Sequence, residues 1–500
     1  MPDGHQMAVS SLVEAELSRG WRGASKATLP LSATDAETQA IRDRTVPSTP
    51  IESLLFRDMF GTPEMRAVFS DEAVIGRYVE AEVALARAQA RLGVIPSAAA
   101  EGIAAAAQRL AIDWPRLQRE TENVGYPILP LVHQLSEAAG EAGRFLHWGA
   151  TTQDIMDTAS VLQLRAALDI VERDIGVVRQ ILADLALRYR DTPMAGRTHL
   201  QQALPVTFGY KVAIWLSMFD RHAERLEQLR PRVLIGQFAG AAGTLASIGP
   251  GGLEVQAGFC EELGLGVPAM TWHVARDGIA EAVSFLGLVT GSLAKLATDI
   301  MLMMSTEFGG EVQEPFVKGR GGSSTMPQKR NPISCELILA GAAAVRQQVG
   351  LILQGMVQDF ERATGPWHLE WVAVPESFIL AGGCLRQAIG MLGGLVVDPV
   401  RMRANLDLTG GLVVAEAVMM AAAPALGRQH AHEVIYDACR AAITSGRRLA
   451  EVLAGMPEVV AALGGVDGVE RHCDPANYLG LAPAMVDRLL ASRQPGADQA

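Results

Sequence analysis

The chemistry-bearing residues concentrate in three short segments that interrupt otherwise helical, apolar sequence. The first to stand out runs Gly319-Arg320-Gly321-Gly322-Ser323-Ser324-Thr325-Met326-Pro327-Gln328-Lys329-Arg330-Asn331-Pro332. Glycine and proline break regular structure on both sides of Ser323, so the segment reads as a mobile loop. It carries three cations and several hydroxyls, and a helix pattern starts at Ile333. A cationic, hydroxyl-bearing loop feeding a helix N-terminus suits an anionic ligand. The second segment is His147-Trp148-Gly149-Ala150-Thr151-Thr152-Gln153-Asp154, whose glycine and paired threonines precede a helix and offer a carboxylate cradle. A plain helix cap is the alternative reading. The third is Gly196-Arg197-Thr198-His199-Leu200-Gln201, ahead of a long core helix, where His199 is a side chain able to transfer protons. A satisfied structural histidine is the alternative there.

The elements that must hold these segments are helices. Asp71 to Leu92 is alanine-rich with apolar residues at helical spacing, and Gly93 follows as a stop. Long helical patterns run from Val161 to Arg190, Pro205 to Leu229, Glu281 to Glu307 and Ile333 to Val357. At about 25 residues each would span ~38 Å, so they must pack on one another as a bundle. Their apolar stripes are broad, which favours burial on several sides, including against other subunits. Alternating β-branched strands are nearly absent, so the class is all-α. The expected organisation is a mobile extension over 1–50, a helical domain over 51–160, a central long-helix bundle over 161–395 carrying the loop 319–332, and a C-terminal helical domain over 396–500.

Composition narrows the function classes. The chain has 500 residues, 49% of them hydrophobic, enough for a large core in more than one domain. A formal net charge of −12 without a dense basic run disfavours a nucleic-acid binder. Five scattered cysteines without a CxxC pattern read as free thiols in a reducing compartment. There is no secretory pattern at the start, and the apolar window from Glu281 carries Lys295 and Asp299, against a membrane span. A cytoplasmic protein is expected. His430 and His432, two apart, share no helix face, and nothing else offers metal-ligand spacing, so no metal is expected. His222 reads as structural and Gly240-Ala241-Ala242-Gly243 as a close-packing turn.

Together the three segments resemble the fumarase/aspartase superfamily. Its signature GSSxMPxKxNP is matched at every defined position from Gly322 to Pro332, and its HxGxTSxD and THxQ regions are seen as HWGATTQD, with Thr152 in place of serine, and THLQ. The likeness spans roughly residues 52–490. The segments VGYPILPLV, GATTQDIMDTA and ERATGPWHLEW look most like the 3-carboxy-cis,cis-muconate cycloisomerase and nitrosuccinate lyase-like group. Adenylosuccinate lyase fits less well, since Asn123-Val124-Gly125-Tyr126 stands where it carries a histidine.

The resemblance implies a cofactor-independent lyase that is a homotetramer with composite sites. It makes Ser323 the base that removes a proton next to a carboxylate, with Lys329 and Asn331 holding the resulting aci-carboxylate. Thr151, Thr152 and Gln153 would seat a carboxylate; His147, Arg197, Thr198, Gln201 and Ser324 would line the pocket; His199 would orient substrate or protonate the leaving group. A serine is a poor base unless a closing loop excludes water and surrounds it with donors. His199, where cycloisomerases of this group often carry tryptophan, favours elimination of fumarate from a 2-substituted succinate, nitrosuccinate being one candidate. The alternatives are a lactone-forming cycloisomerase and a crystallin-type structural protein; the latter has no reason to retain Ser323, Lys329, Asn331 and His199.

Overall fold

The computed structural model describes residues 48–307, 309–322 and 325–493. Nearly all of the expected extension, together with Ser323 and Ser324, lies outside them. Among the described residues six helices exceed 20 residues: α1 (Asp71–Arg91), α2 (Thr152–Arg188), α3 (Phe208–Val233), α4 (Asp277–Met304), α5 (Ile333–Gly355) and α6 (His368–Gly393). The protein is all-α, as its patterning predicts. α1 starts where the Ser70 hydroxyl accepts from the Ala73 N–H, with Asp71 and Glu72 on the positive helix end. It stops before Gly93, whose φ of 74° most residues avoid.

Helices α2 to α6 form one bundle. α4 packs against α3, α5 and α6, and α2 against α3 and α6. Trp215, Phe219, Leu286, Leu293, Ile338 and Phe378 are among its buried side chains. A smaller apolar cluster joins α1 to the helices at 97–107 and 128–139, and another, around Val418, Ile435 and Leu453, belongs to the C-terminal helices. The five cysteines are free thiols, Cys439 the least buried.

One buried ionic cluster locks the bundle together. Arg276, 2% exposed, forks onto Asp157 of α2 at 2.7 and 2.9 Å and onto Glu370 of α6, while Trp367 donates its indole N–H to Asp157 at 3.1 Å. Pairing offsets part of the cost of burial: the two acids raise the pKa of the Arg276 guanidinium, while burial holds the Glu370 carboxyl above its usual pKa despite Arg276.

Two features depart from the sequence expectations. Two small antiparallel pairs are present: β1 (Pro193–Thr198) with β2 (Gln201–Thr207), and β3 (Val312–Gln313) with β4 (Val396–Val397). The stretch from Pro205 to Thr207, expected to be helical, is strand, and Thr207 caps α3 by accepting from the Tyr210 N–H at 3.0 Å. By length and composition alone, α4 and α5 are apolar enough to cross a membrane. Both are built into the bundle, but the most apolar window of α5 is only 28% buried, against 56% for α4.

Candidate active site

The turn 147–154 is held from three sides. Asp154, fully buried, accepts from the Thr151, Ala239 and Gly240 N–H groups at 3.0 Å each and contacts His273 Nε2 at 2.8 Å. Four partners on one carboxylate fix the start of α2 against the 239–244 turn. Gly149, at φ 71°, passes so close to Ile248 that a Cβ would lie 2.4 Å from its Cδ1. From α1, Gln89 donates to the Trp148 carbonyl at 2.6 Å and Glu82 meets His147 Nδ1 at 2.6 Å. Thr151 and Thr152 sit half-buried at the positive end of α2, where first-turn N–H groups attract a carboxylate. Gln153 points inward instead: it is 2% exposed and donates to the His273 carbonyl at 2.8 Å.

The second segment is a β-hairpin tip rather than a helix lead-in. β1 pairs with β2 from Pro193↔Thr207 to Thr198↔Gln201, leaving His199 and Leu200 as a two-residue turn. Both have positive φ, 51° and 61°, the left-handed pair such a turn requires and which costs non-glycine residues about 1 kcal/mol or more each. Thr198, His199 and Gln201 are exposed. Arg197 is committed elsewhere: its guanidinium forks onto Glu311 at 2.7 and 3.0 Å, and Asn405 donates to the same fully buried carboxylate. It anchors the hairpin. Beside it lies a cavity of about 460 Å³ that includes Thr198, Lys211 and Asp299, where burial pulls the Lys211 ammonium below its usual pKa.

The third segment closes at its base. Gly322 bridges Arg330, and the Asn331 N–H donates to the Gly321 carbonyl at 2.9 Å. Arg320 reaches Ser334 and Gln387, and Arg330 donates to the Glu314 carbonyl at 2.7 Å. Lys329 is exposed and, among the described residues, forms no ion pair. The N-terminus of α5, expected to be open to an anionic ligand, is capped internally: Glu314 accepts from the Ser334 and Cys335 N–H groups at 3.1 and 3.0 Å. The loop's groups, not the helix end, are left for a ligand.

Segments two and three meet through residues 311–314, which anchor Arg197 at one end and cap α5 at the other. Segment one does not join them. It starts α2, whereas the hairpin follows the end of α2, and 37 helical residues span about 55 Å. A six-residue strand, about 20 Å long, cannot recross that distance.

Sequence reasoning missed Glu82, Glu311 and Arg362. The Arg362 guanidinium lies over the 239–244 turn, with Nε 3.2 Å from the Ala241 carbonyl. Only the ERATGPWHLEW segment hinted at it. Nothing local distinguishes Glu82 or Glu311 from other helix-face and loop carboxylates.

A family model described as "Lyase" matches residues 59–347, and one described as "Adenylosuccinate lyase C-terminus" matches 411–489. The chain belongs to the lyase family of the fumarase/aspartase superfamily. This lyase is 48% identical to the 3-carboxy-cis,cis-muconate cycloisomerase of Pseudomonas aeruginosa, over 87% of the chain and 96% of the relative. It is 41% identical to the N-acetyl-S-(2-succino)cysteine lyase of Dickeya dadantii, over 88% and 96%. Among solved structures, the fumarate lyase from Mesorhizobium sp. BNC1 superposes with a TM-score of 0.82 at 60% identity, covering 87% of this chain and 99% of that one.

Proposed function

We propose that this lyase carries out a cofactor-independent β-elimination that releases fumarate from a 2-substituted succinate. Ser323 takes the proton from the carbon next to one carboxylate. The electron pair moves onto that carboxylate, forming an aci-carboxylate, and returns to make the double bond as the substituent leaves the neighbouring carbon with its bonding pair. Lys329 and Asn331 stabilise the doubly charged intermediate, whose charge develops only along the reaction, so donors fixed there lower the barrier. Thr151 and Thr152 seat the other carboxylate at the α2 N-terminus, and His147 and Ser324 line the pocket. Thr198, His199 and Gln201 approach from the hairpin tip, His199 orienting substrate or protonating the leaving group. Gln153 and Arg197 act as supports that hold the turn and the hairpin.

One observation carries this reading: in the signature loop Arg320 and Arg330 are tied to the fold, whereas Lys329 is exposed and forms no ion pair among the described residues. Stabilising a developing anion needs such a cation. The 55 Å helix between segments one and two supports a site completed by other copies of the chain, and the open apolar face of α5 supports a homotetramer. Two leaving groups are the leading candidates. Nitrite would leave from nitrosuccinate, the substrate suggested by the resemblance, and a thiolate from a succinyl thioether of the kind named for the Dickeya relative.

The 48% identity to a cycloisomerase favours lactone formation from 3-carboxymuconate as the second reading. A substrate panel separates them: nitrosuccinate, N-acetyl-S-(2-succino)cysteine, aspartate, argininosuccinate, adenylosuccinate and 3-carboxymuconate, with fumarate and lactone followed. Fumarate from one succinate is expected; lactone with no fumarate from any succinate would sink the elimination. Ser323→Ala should abolish turnover with the fold intact.

A further inference from the structure

The least explained group near the site is a buried acid that contributes to no packing cluster and no helix cap. Glu82 sits in the middle of α1 with 1% exposure. Its Oε1 lies 2.6 Å from His147 Nδ1, and its Oε2 is buried with no hydrogen-bond partner among the described residues. The imidazole is therefore the one described group that can balance this carboxylate. A buried carboxylate with a single partner strongly favours the protonated form of that partner.

The backbone around His147 is arranged to keep the pair together. His147 adopts a left-handed φ of 57°, which a non-glycine residue holds only when its surroundings impose it. Two turns along the same face of α1, Gln89 grips the next residue through the Trp148 carbonyl. Glu82 and Gln89 thus clamp the turn at two points from one helix. With Nδ1 taken, Nε2 is the ring nitrogen left to meet a ligand, and the ring is 22% exposed.

We propose that Glu82 is a positioning residue: it pins Nδ1–H of His147 and so presents Nε2–H as a charged donor to a substrate carboxylate. The inference rests on the reading that His147 faces substrate. Electrostatics agree with the geometry. Burial opposes a charge on the ring, but Glu82, from α1, and Asp154, from the first turn of α2, outweigh it and raise the His147 pKa. The ring therefore holds its proton to a higher pH than an ordinary histidine does. Removing Glu82 leaves burial dominant, which moves the titration in the opposite direction.

The test pairs a substrate-free measurement with kinetics on the full-length protein. Histidine is labelled with ¹³C at Cε1, the His147 signal is identified by its loss in His147→Gln, and its titration is followed in the wild type and in Glu82→Gln. The midpoint should fall by about one pH unit or more in Glu82→Gln, with the helical circular dichroism of the wild type retained. KM above pH 7 should then rise about tenfold while kcat changes less, because one pH unit corresponds to a tenfold change in protonation. Glu82→Asp, which keeps the charge, should restore part of the shift if the isosteric variant folds poorly. An unmoved midpoint overturns the proposal. A midpoint that moves while the pH profile of kcat/KM stays fixed also overturns it, and shows that His147 does not touch substrate; the elimination itself would still stand if the panel yields fumarate.

Discussion

The turn 147–154 and the loop 319–332 read alike as sequence: glycines, hydroxyls and charges ahead of a helix. In the fold they follow opposite plans. The turn's acid is surrounded, with four partners on Asp154, and a second acid, Glu82, reaches its histidine from another helix. The loop is stapled at its base by Arg320 and Arg330, while Lys329 stays exposed. One half of the proposed site is therefore satisfied by the fold itself, and the other presents an exposed cation. The charges that look alike in sequence thus divide by whether the protein itself already satisfies them.

The largest effect expected on the fixed side comes from Arg276→Met. It strips the cation from between Asp157 and Glu370, leaving two carboxylates buried on α2 and α6. Breaking a buried ionic cluster by removing one partner costs about 3–5 kcal/mol. Urea denaturation should show a loss of that order. A loss under about 1 kcal/mol would mean that the frame holding α2 is not built on this cluster.

On the open side, Lys329→Met should lower kcat/KM by about 10²–10³-fold, the usual effect of removing one donor from a developing anion. Tm should not change, because the ammonium makes no ion pair among the described residues. A variant that is destabilised yet active would reverse the assignment of the two regions.

Much of this division could not be read from the chain. The helices were legible because apolar residues recur three or four apart over long stretches, and the bounds of α1, α4 and α5 fall close to the pattern. The hairpin was not: Pro193 to Thr207 lacks the alternating β-branched residues that mark a strand, and its turn uses His199 and Leu200 instead of glycine or asparagine. The site residues were legible as types but not as roles. Arg197 looked like a ligand-binding cation because Glu311, 114 residues away, could not be paired with it in advance. Gln153 looked like part of the cradle because the helix phase that turns it toward His273 depends on tertiary packing.

A third effect separates stability from catalysis by pH. His222 is buried in the bundle against Phe219, Phe285 and Ser292, and burial, aided by Arg225 and Arg221, pushes its pKa down to about 4. In the unfolded chain the ring titrates near 6.5. The unfolded state therefore takes up the proton first as pH falls, and stability is lost between about 6.5 and 4, by about 3 kcal/mol in all. Denaturation at pH 7.5 and 4.5 should record this slope, and His222→Gln should flatten it. A slope unchanged in the variant would place the acid sensitivity elsewhere in the frame.

The smallest effect tests the boundary between the two regions. Arg320 belongs to the loop by sequence but to the frame by contact, since it donates to Ser334 on α5 and Gln387 on α6. Arg320→Met removes both bonds and should cost about 1–2 kcal/mol, because it takes a donor from the buried Ser334 and Gln387. Its kinetic signature should differ from that of Lys329→Met: KM rises a few-fold because the loop base is less well placed, while kcat stays near the wild type because the cation that meets the developing charge is retained. If kcat falls as far as in Lys329→Met, the base and the tip of the loop act as one unit, and the line between fixed and free must be drawn at Glu314 instead.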